Sequence, residues 1–317
     1  MKPIIYNGDH LLDENNMNFS IPVEIHVCRF LKNTHPQHLI KQLINVSNKD
    51  ILLNISEYRF NPNTFKIFID SCEPLVCRMK EIEEEIIKAS NFYNLILSSN
   101  TNILNSIPNS KLFLYGTTWL NKTNNDKTYL GEVDESFNGF NIIKENTLSF
   151  LRTNKSKEEM GMIPGYNLRE KIWNEKDNIN FSVKFYYSNS RLEYKPVIEY
   201  DGPLPNNDKI NLFNSKFSVI IENSSETNYF SEKLIDCLLT RTIPIYWGCP
   251  NISSYFDIDG MILIEDEKDF IKKINQIDLV SFYDKKIQHV ENNFNIAKKY
   301  AKNYGKRVQA AIEEILP

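Results

Sequence analysis

The stretch from Lys216 to Pro250, KFSVIIENSSETNYFSEKLIDCLLTRTIPIYWGCP, constrains the fold of this chain more than any other. Phe217 to Ile221 is a largely apolar, β-branched run of the kind found in strands covered on both faces. Glu222 to Asn228 then offers several helix-capping side chains, so a helix is expected to start near Asn228. Phe230, Leu234, Cys237 and Leu238 recur at helical spacing and would face a sheet, and Ile243 to Trp247 reads as the next buried strand. Strand, turn, helix, strand is a βαβ unit, the building block of a parallel sheet. Its turn lies at a strand's carboxyl end, where open α/β sheets bind ligands and a helix start offers free N–H groups to an anion. Glu232 and Lys233 sit close to that helix start. Geometry of this kind alone is also met by residues that only cap a helix and by a solvated lysine.

At 317 residues the chain exceeds one ordinary core and suits two domains of roughly 150 residues. A hydrophobic content of 41% with 12% aromatics is globular, and a net charge of -4 with a pI near 5.9 gives no basic footprint for nucleic acid. No run approaches the ~20 apolar residues that span a bilayer, and the opening MKPIIYNGDHLLDENN lacks a signal peptide's apolar core. A cytoplasmic location without a membrane anchor is the expectation. The cysteines at 28, 72, 77, 237 and 249 are scattered without zinc spacing, so free thiols are expected.

The first domain, 1–145, alternates short apolar runs with helical ones. Val23 to Phe30, Ile51 to Ile55, Phe65 to Ile69, Leu95 to Leu97 and Leu112 to Tyr115 read as strands, with helices over Pro36 to Val46 and Val76 to Ala89. Asn121 to Lys127 is a polar surface loop, and Gly131 to Glu145 is the passage onward. The second domain, 146–317, opens with a strand at Thr147 to Leu151, a helix from Tyr166 to Asn174 and a strand at Val183 to Tyr187. After the turn-rich DGPLPNN and the central unit come a short strand at Met261 to Ile264 and helices over Lys268 to Ile274, Leu279 to Phe294 and Ile296 to Leu316. The fold class is therefore α/β, with two Rossmann-like halves and a cleft between them.

Glu222-Asn223-Ser224, then Tyr229-Phe230-Ser231-Glu232-Lys233, then Ile243-Pro-Ile-Tyr-Trp-Gly-Cys-Pro250, at this spacing, closely resembles the donor-binding signature of the α1,3-fucosyltransferase family, glycosyltransferase family 10. The match is nearly continuous from Phe217 to about Phe256 and includes charged residues that packing does not demand. The resemblance implies the two-domain GT-B architecture, in which the second half holds the nucleotide sugar, the first presents the acceptor and a terminal helix crosses back to the first. A soluble bacterial-type or viral member fits best, because the anchor, stem and paired cysteines of Golgi members find no counterpart.

Inverting glycosyl transfer needs a seat for the diphosphate, support for a positively charged sugar ring and a base for the acceptor hydroxyl. Lys233 and Arg169, each early on a helix, are the candidates for the diphosphate. SFLRTNKSKEEMGMIPGYNLREKIWNE resembles the family's Ser-Asn, Arg, aromatic-x-x-Leu stretch, whose arginine binds that group, although the intervening loop is longer here. Without the motif, Arg169 reads as a surface residue bonding a nearby carboxylate such as Glu170. Glu222, Asn223 and Glu232 are candidates for the ribose and sugar ring and Tyr229 for the nucleotide; by resemblance the glutamates and the tyrosine line the donor pocket, whereas the residues alone also fit helix capping and a buried aromatic. Lys66-Ile-Phe-Ile-Asp-Ser-Cys-Glu-Pro74 resembles the family's strand ending in Glu-Ser-Pro, which makes Glu73 the candidate base, with Glu57 at the end of ILLNISE the alternative.

Asp257-Ile-Asp259 has the DxD form used elsewhere to hold a metal-bound diphosphate, but with cations available for the phosphates no obligatory metal or other cofactor is expected. The histidines show no ligand spacing. The expected function is transfer of L-fucose from GDP-fucose, as substrate, to a hydroxyl of a glycan acceptor. A transferase using another nucleotide sugar, or a binding module without turnover, are the alternatives.

Overall fold

The computed structural model describes residues 1–6, 12–27, 42–46, 49–53, 61–70, 79–120, 133, 136–152, 163–187, 202–204 and 208–316. The chain forms two compact units: Met1–Tyr115 with Thr227–Tyr229 and Asn303–Pro317, and Gly116–Glu226 with Phe230–Lys302. The sequence boundary at 145/146 marks the start of a strand, whereas the division by contacts comes at Tyr115/Gly116.

In the first unit, β1 (Ile4–Tyr6), β2 (Val23–Val27), β5 (Phe65–Ile69), β6 (Leu95–Ser98) and β7 (Ser110–Leu112) form a parallel sheet in chain order. Helices α1 (Met79–Ala89) and α2 (Thr101–Ser106) lie between its later strands in the chain. The last expected strand comes earlier than the sequence suggested, at Ser110–Leu112. The helix expected over Pro36 to Val46 is corrected at its end: β3 (Gln42–Val46) is a strand, paired antiparallel with β4 (Lys49–Leu53) from Gln42↔Leu53 to Val46↔Lys49. An apolar pair at positions 43 and 44 fits either period, and a ladder partner immediately downstream decides between them.

In the second unit, β8 (Glu145–Arg152), β9 (Val183–Tyr187), β10 (Ser215–Ile221), β11 (Ile243–Trp247) and β12 (Ile262–Leu263) form a parallel sheet in the order β12-β11-β10-β8-β9. Strand order reverses at β8, whose two neighbours are β9 and β10, and such a reversal opens a crevice at the strands' carboxyl ends. Among the described residues the first sheet has no such reversal. Helix α3 (Pro164–Asn174) begins on a proline, whose missing N–H costs nothing in a first turn, and buries Leu168, Ile172 and Trp173. Trp173 lies 5.8 Å from Phe150 and 5.1 Å from Phe185 between ring centroids, so α3 is seated on β8 and β9 by aromatic packing.

Helix α4 (Glu232–Leu239) starts four residues later than the sequence suggested. Asn228 has φ of 64°, outside the right-handed helical region, and Ser231 is the residue that caps. Helices α5 (Glu267–Gln276), α6 (Leu279–Lys285), α7 (Ile287–Tyr300) and α8 (Tyr304–Glu313) follow. The single helix expected over Leu279 to Phe294 breaks at Lys286, and the last one is divided where the Asn303 side chain accepts from Lys306 N and restarts the helix as α8. Within the first unit Arg307 of α8 donates to Leu114 O at 2.7 Å. Among the described residues no helix is long and apolar enough to cross a membrane.

Candidate functional site

The carboxyl end of β10 is the point on which the second unit's polar residues converge. Gly165 N, one of the first-turn donors that a helix cannot satisfy itself, donates to Asn223 O at 3.0 Å. That approach requires a glycine, because a Cβ at 165 would lie 1.8 Å from Glu222 O and 2.8 Å from Asn223 O. One turn further along α3, Arg169 is buried, and its guanidinium donates to Asn223 Oδ1 at 3.0 Å and to Ile221 O. Glu170 does not take up Arg169; it pairs with Arg152 at the carboxyl end of β8. A guanidinium carries five donors, and held here at the reversal of strand order it has the chemistry to donate to an anion as well.

Helix α4 is tied to the same strand end. The fully buried Glu222 accepts from Ser231 N at 2.9 Å and from Ser231 Oγ at 2.6 Å, so it braces the capping residue. Gly248 leaves room for this, since a Cβ there would meet Glu222 Cγ and Tyr246 Oη, each at 2.6 Å. Lys233 Nζ lies 3.0 Å from Ser231 Oγ, 3.4 Å from Glu232 Oε1 and 3.7 Å from Glu222 Oε2. Burial pushes the Glu222 carboxyl above its ordinary range, with Lys233 opposing and Glu232 adding to the rise. For Glu232 burial acts in the same direction, but the charges of Lys233 and Lys209, with bonds at the helix start, outweigh it and hold the carboxyl low.

Arg169, Glu222, Asn223, Glu232 and Lys233 are thus gathered around three consecutive residues, 221–223. Tyr229 is fully buried and belongs, with Thr227 and Asn228, to the first unit. Glu73 and Glu57 lie outside the described residues. Asn223, also the acceptor of an Asn-x-Ser triplet, is 5% exposed with its side chain on Arg169, a poor target for glycosylation once the chain has folded. Lys209 escaped the sequence reading. It opens a short 3-10 segment after a turn-rich stretch, without helical or strand periodicity to mark it, and pairs with Asp236 at 2.5 Å.

No protein-family model matches the chain. A curated α1,3-fucosyltransferase, FucT of Helicobacter pylori, is 37% identical over 62 residues, which cover 20% of this chain and 13% of that protein. Those 62 residues are similar to a part of an α1,3-fucosyltransferase, and the chain spans only a small part of that protein's length. Among solved structures, Anabaena Alr3699/HepE in complex with UDP-glucose aligns over 80% of this chain and 73% of its own, at 9% identity and a TM-score of 0.51. A crystal structure of α1,3-fucosyltransferase aligns over 81% and 76%, at 15% identity and a TM-score of 0.43. The fold is the α/β, GT-B-like one, with two Rossmann-like units.

The DxD triplet is engaged by its own surroundings. Asp257 Oδ2 lies 2.7 Å from His289 Nδ1 and accepts from Asn292 Nδ2 at 3.2 Å, while Asp257 Oδ1 caps Asp259 N at 3.1 Å. Asp259 meets Lys286 at 3.3 Å. Asp257, Asp259 and His289 do bring ligand atoms within 4.8 Å of one another, so the residue types would suit a divalent ion. Transfer is expected to persist in excess EDTA; activity lost on chelation and restored by manganese would reassign the triplet.

Cys237 is a free, buried thiol and Cys249 is buried, and Cys28, Cys72 and Cys77 lie outside the described residues.

Proposed function

We propose that the chain is an inverting glycosyltransferase that moves L-fucose from GDP-fucose to a hydroxyl of a glycan acceptor. Arg169 carries the reading: it is buried at the reversal of strand order with its guanidinium on the end of β10, and the relationship to FucT supports the donor class. Arg169 and the start of α3 take the diphosphate, with Lys233 sharing its charge between the phosphates and Glu232. The ionised Glu232 accepts from the ribose or sugar hydroxyls. Glu222 and Asn223 serve the donor by bracing Ser231 and Arg169, and Tyr229 contacts the nucleotide. Glu73, or Glu57 in its place, takes the acceptor hydroxyl's proton as the oxygen attacks the anomeric carbon and GDP departs, so the anomeric configuration inverts. No obligatory metal or other cofactor takes part.

Calorimetry with GDP, UDP, CMP and their common sugars tests the donor. GDP and GDP-fucose are expected to bind best; preference for UDP-glucose, the ligand in the HepE complex, would change the donor class. Arg169→Ala should weaken GDP about 10- to 150-fold, since a charge-assisted hydrogen bond contributes roughly 1.5 to 3 kcal/mol. Lys233→Ala should be milder, because two neighbouring carboxylates already share its ammonium. Wild-type GDP affinity in both variants would move the diphosphate elsewhere, and tight donor binding without product across an acceptor panel would leave a binding module.

A further inference from the structure

Glu232 and Asp236 stand one helical turn apart on α4, at i and i+4, and therefore share a face. Both are buried, Glu232 to 4% exposure and Asp236 to 0%. Two carboxylates so placed in a dry environment repel, and each favours taking a proton unless cations face them. One cation is Lys233, adjacent in sequence. The other is Lys209, which arrives from 3-10 helical residues Lys209–Asn214 and places Nζ 2.5 Å from Asp236 Oδ2. Asp236 Oδ1 is occupied separately, accepting from Thr118 Oγ1 at 2.6 Å and Trp119 N at 2.9 Å. The Lys209 ammonium also lies 5.7 Å from the Trp119 ring centroid, so its position is bounded on two sides.

We propose that Lys209 is a positioning residue of the donor site, acting through the Asp236–Glu232 face of α4 and not by touching the nucleotide. The inference rests on the assignment of Glu232 to the donor. The charged groups facing Glu232 are Lys233, Lys209, Glu222 and Asp236. Of these only Lys209 comes from outside α4 and the strand end that braces it. Burial pushes the Asp236 carboxyl up while Lys209 opposes the rise, and the same ammonium acts on Glu232 one turn away and keeps its carboxylate ionised to accept hydroxyl hydrogens. Without that cation, Glu232 takes a proton at higher pH and loses its acceptor character.

The test compares wild type, Lys209→Met, Lys209→Arg and Asp236→Asn by two measurements. Carbon NMR of glutamate-labelled protein, with Glu232→Gln to identify the signal, follows the Glu232 carboxyl through pH without any nucleotide. Its midpoint is expected to rise in Lys209→Met, to return toward wild type in Lys209→Arg and to stay low in Asp236→Asn, where Lys209 has lost its competing partner. GDP calorimetry from pH 8 to pH 5, read as the ratio to wild type at each pH so that the proton the terminal phosphate of GDP takes up near about pH 6 cancels, should then show Lys209→Met losing about tenfold in relative affinity for each pH unit below its new midpoint. An unchanged Glu232 midpoint in Lys209→Met overturns the inference whatever GDP does. So does a pH-independent loss of affinity that arginine does not restore. A raised midpoint in a protein whose wild type ignores GDP overturns the donor assignment, and with it the role given to Lys209, while leaving the electrostatic coupling measured.

Discussion

Glu73→Gln is expected to lower the rate of transfer at saturating donor by roughly 10²- to 10⁴-fold, the usual contribution of a general base, while GDP affinity stays near wild type. The amide keeps the size of the side chain but cannot take the acceptor's proton. Glu57→Gln should be far milder. The two variants separate the candidates: a large loss in Glu57→Gln alone moves the base there, and normal rates in both remove the base from either segment.

Gly165→Val should have the next largest effect, and on binding rather than on chemistry. Even the first carbon of a side chain would lie 1.8 Å from the backbone oxygen of Glu222, a residue tied to the sheet just past β10 by its N–H donating to Trp247 O, so the start of α3 must swing away. The displacement breaks the Gly165 N to Asn223 O bond and draws Arg169 off Asn223 and Ile221. Overpacking of this kind costs about 1 to 3 kcal/mol, read as a lower midpoint of unfolding, and GDP affinity should fall by at least about tenfold. A variant with wild-type stability and wild-type GDP binding would show that α3 need not sit against β10 for the donor to bind.

Gly165 and Arg169 show where the two kinds of information part. The sequence PGYNLREKIW marks a helix and, by resemblance, a functional arginine, yet on its residues alone Arg169 and the adjacent Glu170 suggested a surface pair. The tertiary structure pairs Glu170 with Arg152, a strand away, and buries Arg169 against carbonyls more than fifty positions along the chain. Arg241 is a comparable case at the other end of α4. Its φ of 55° would be unusual for any residue but glycine, and nothing in its neighbours predicts that its guanidinium stacks 3.8 Å over Phe294 and bonds Glu291.

The sequence by itself determined the βαβ unit from Lys216 to Pro250, the presence of a second parallel α/β series before it and the identity of most residues gathered at the end of β10. These features are written in local period and capping chemistry, and in a motif of fixed spacing, all of which act over a few turns or strands. Only the tertiary structure decided the strand order that places the reversal at β8, the direction in which Glu222 turns its carboxylate, and the burial of the charged residues on β2. Glu24 and His26 on β2 are each 1% exposed, with Glu24 accepting from Thr64 Oγ1 at 2.5 Å. Lys209 belongs to the same class. A buried charge is tolerated only where partners from distant parts of the chain compensate its lost hydration, and those partners meet only once the chain has folded.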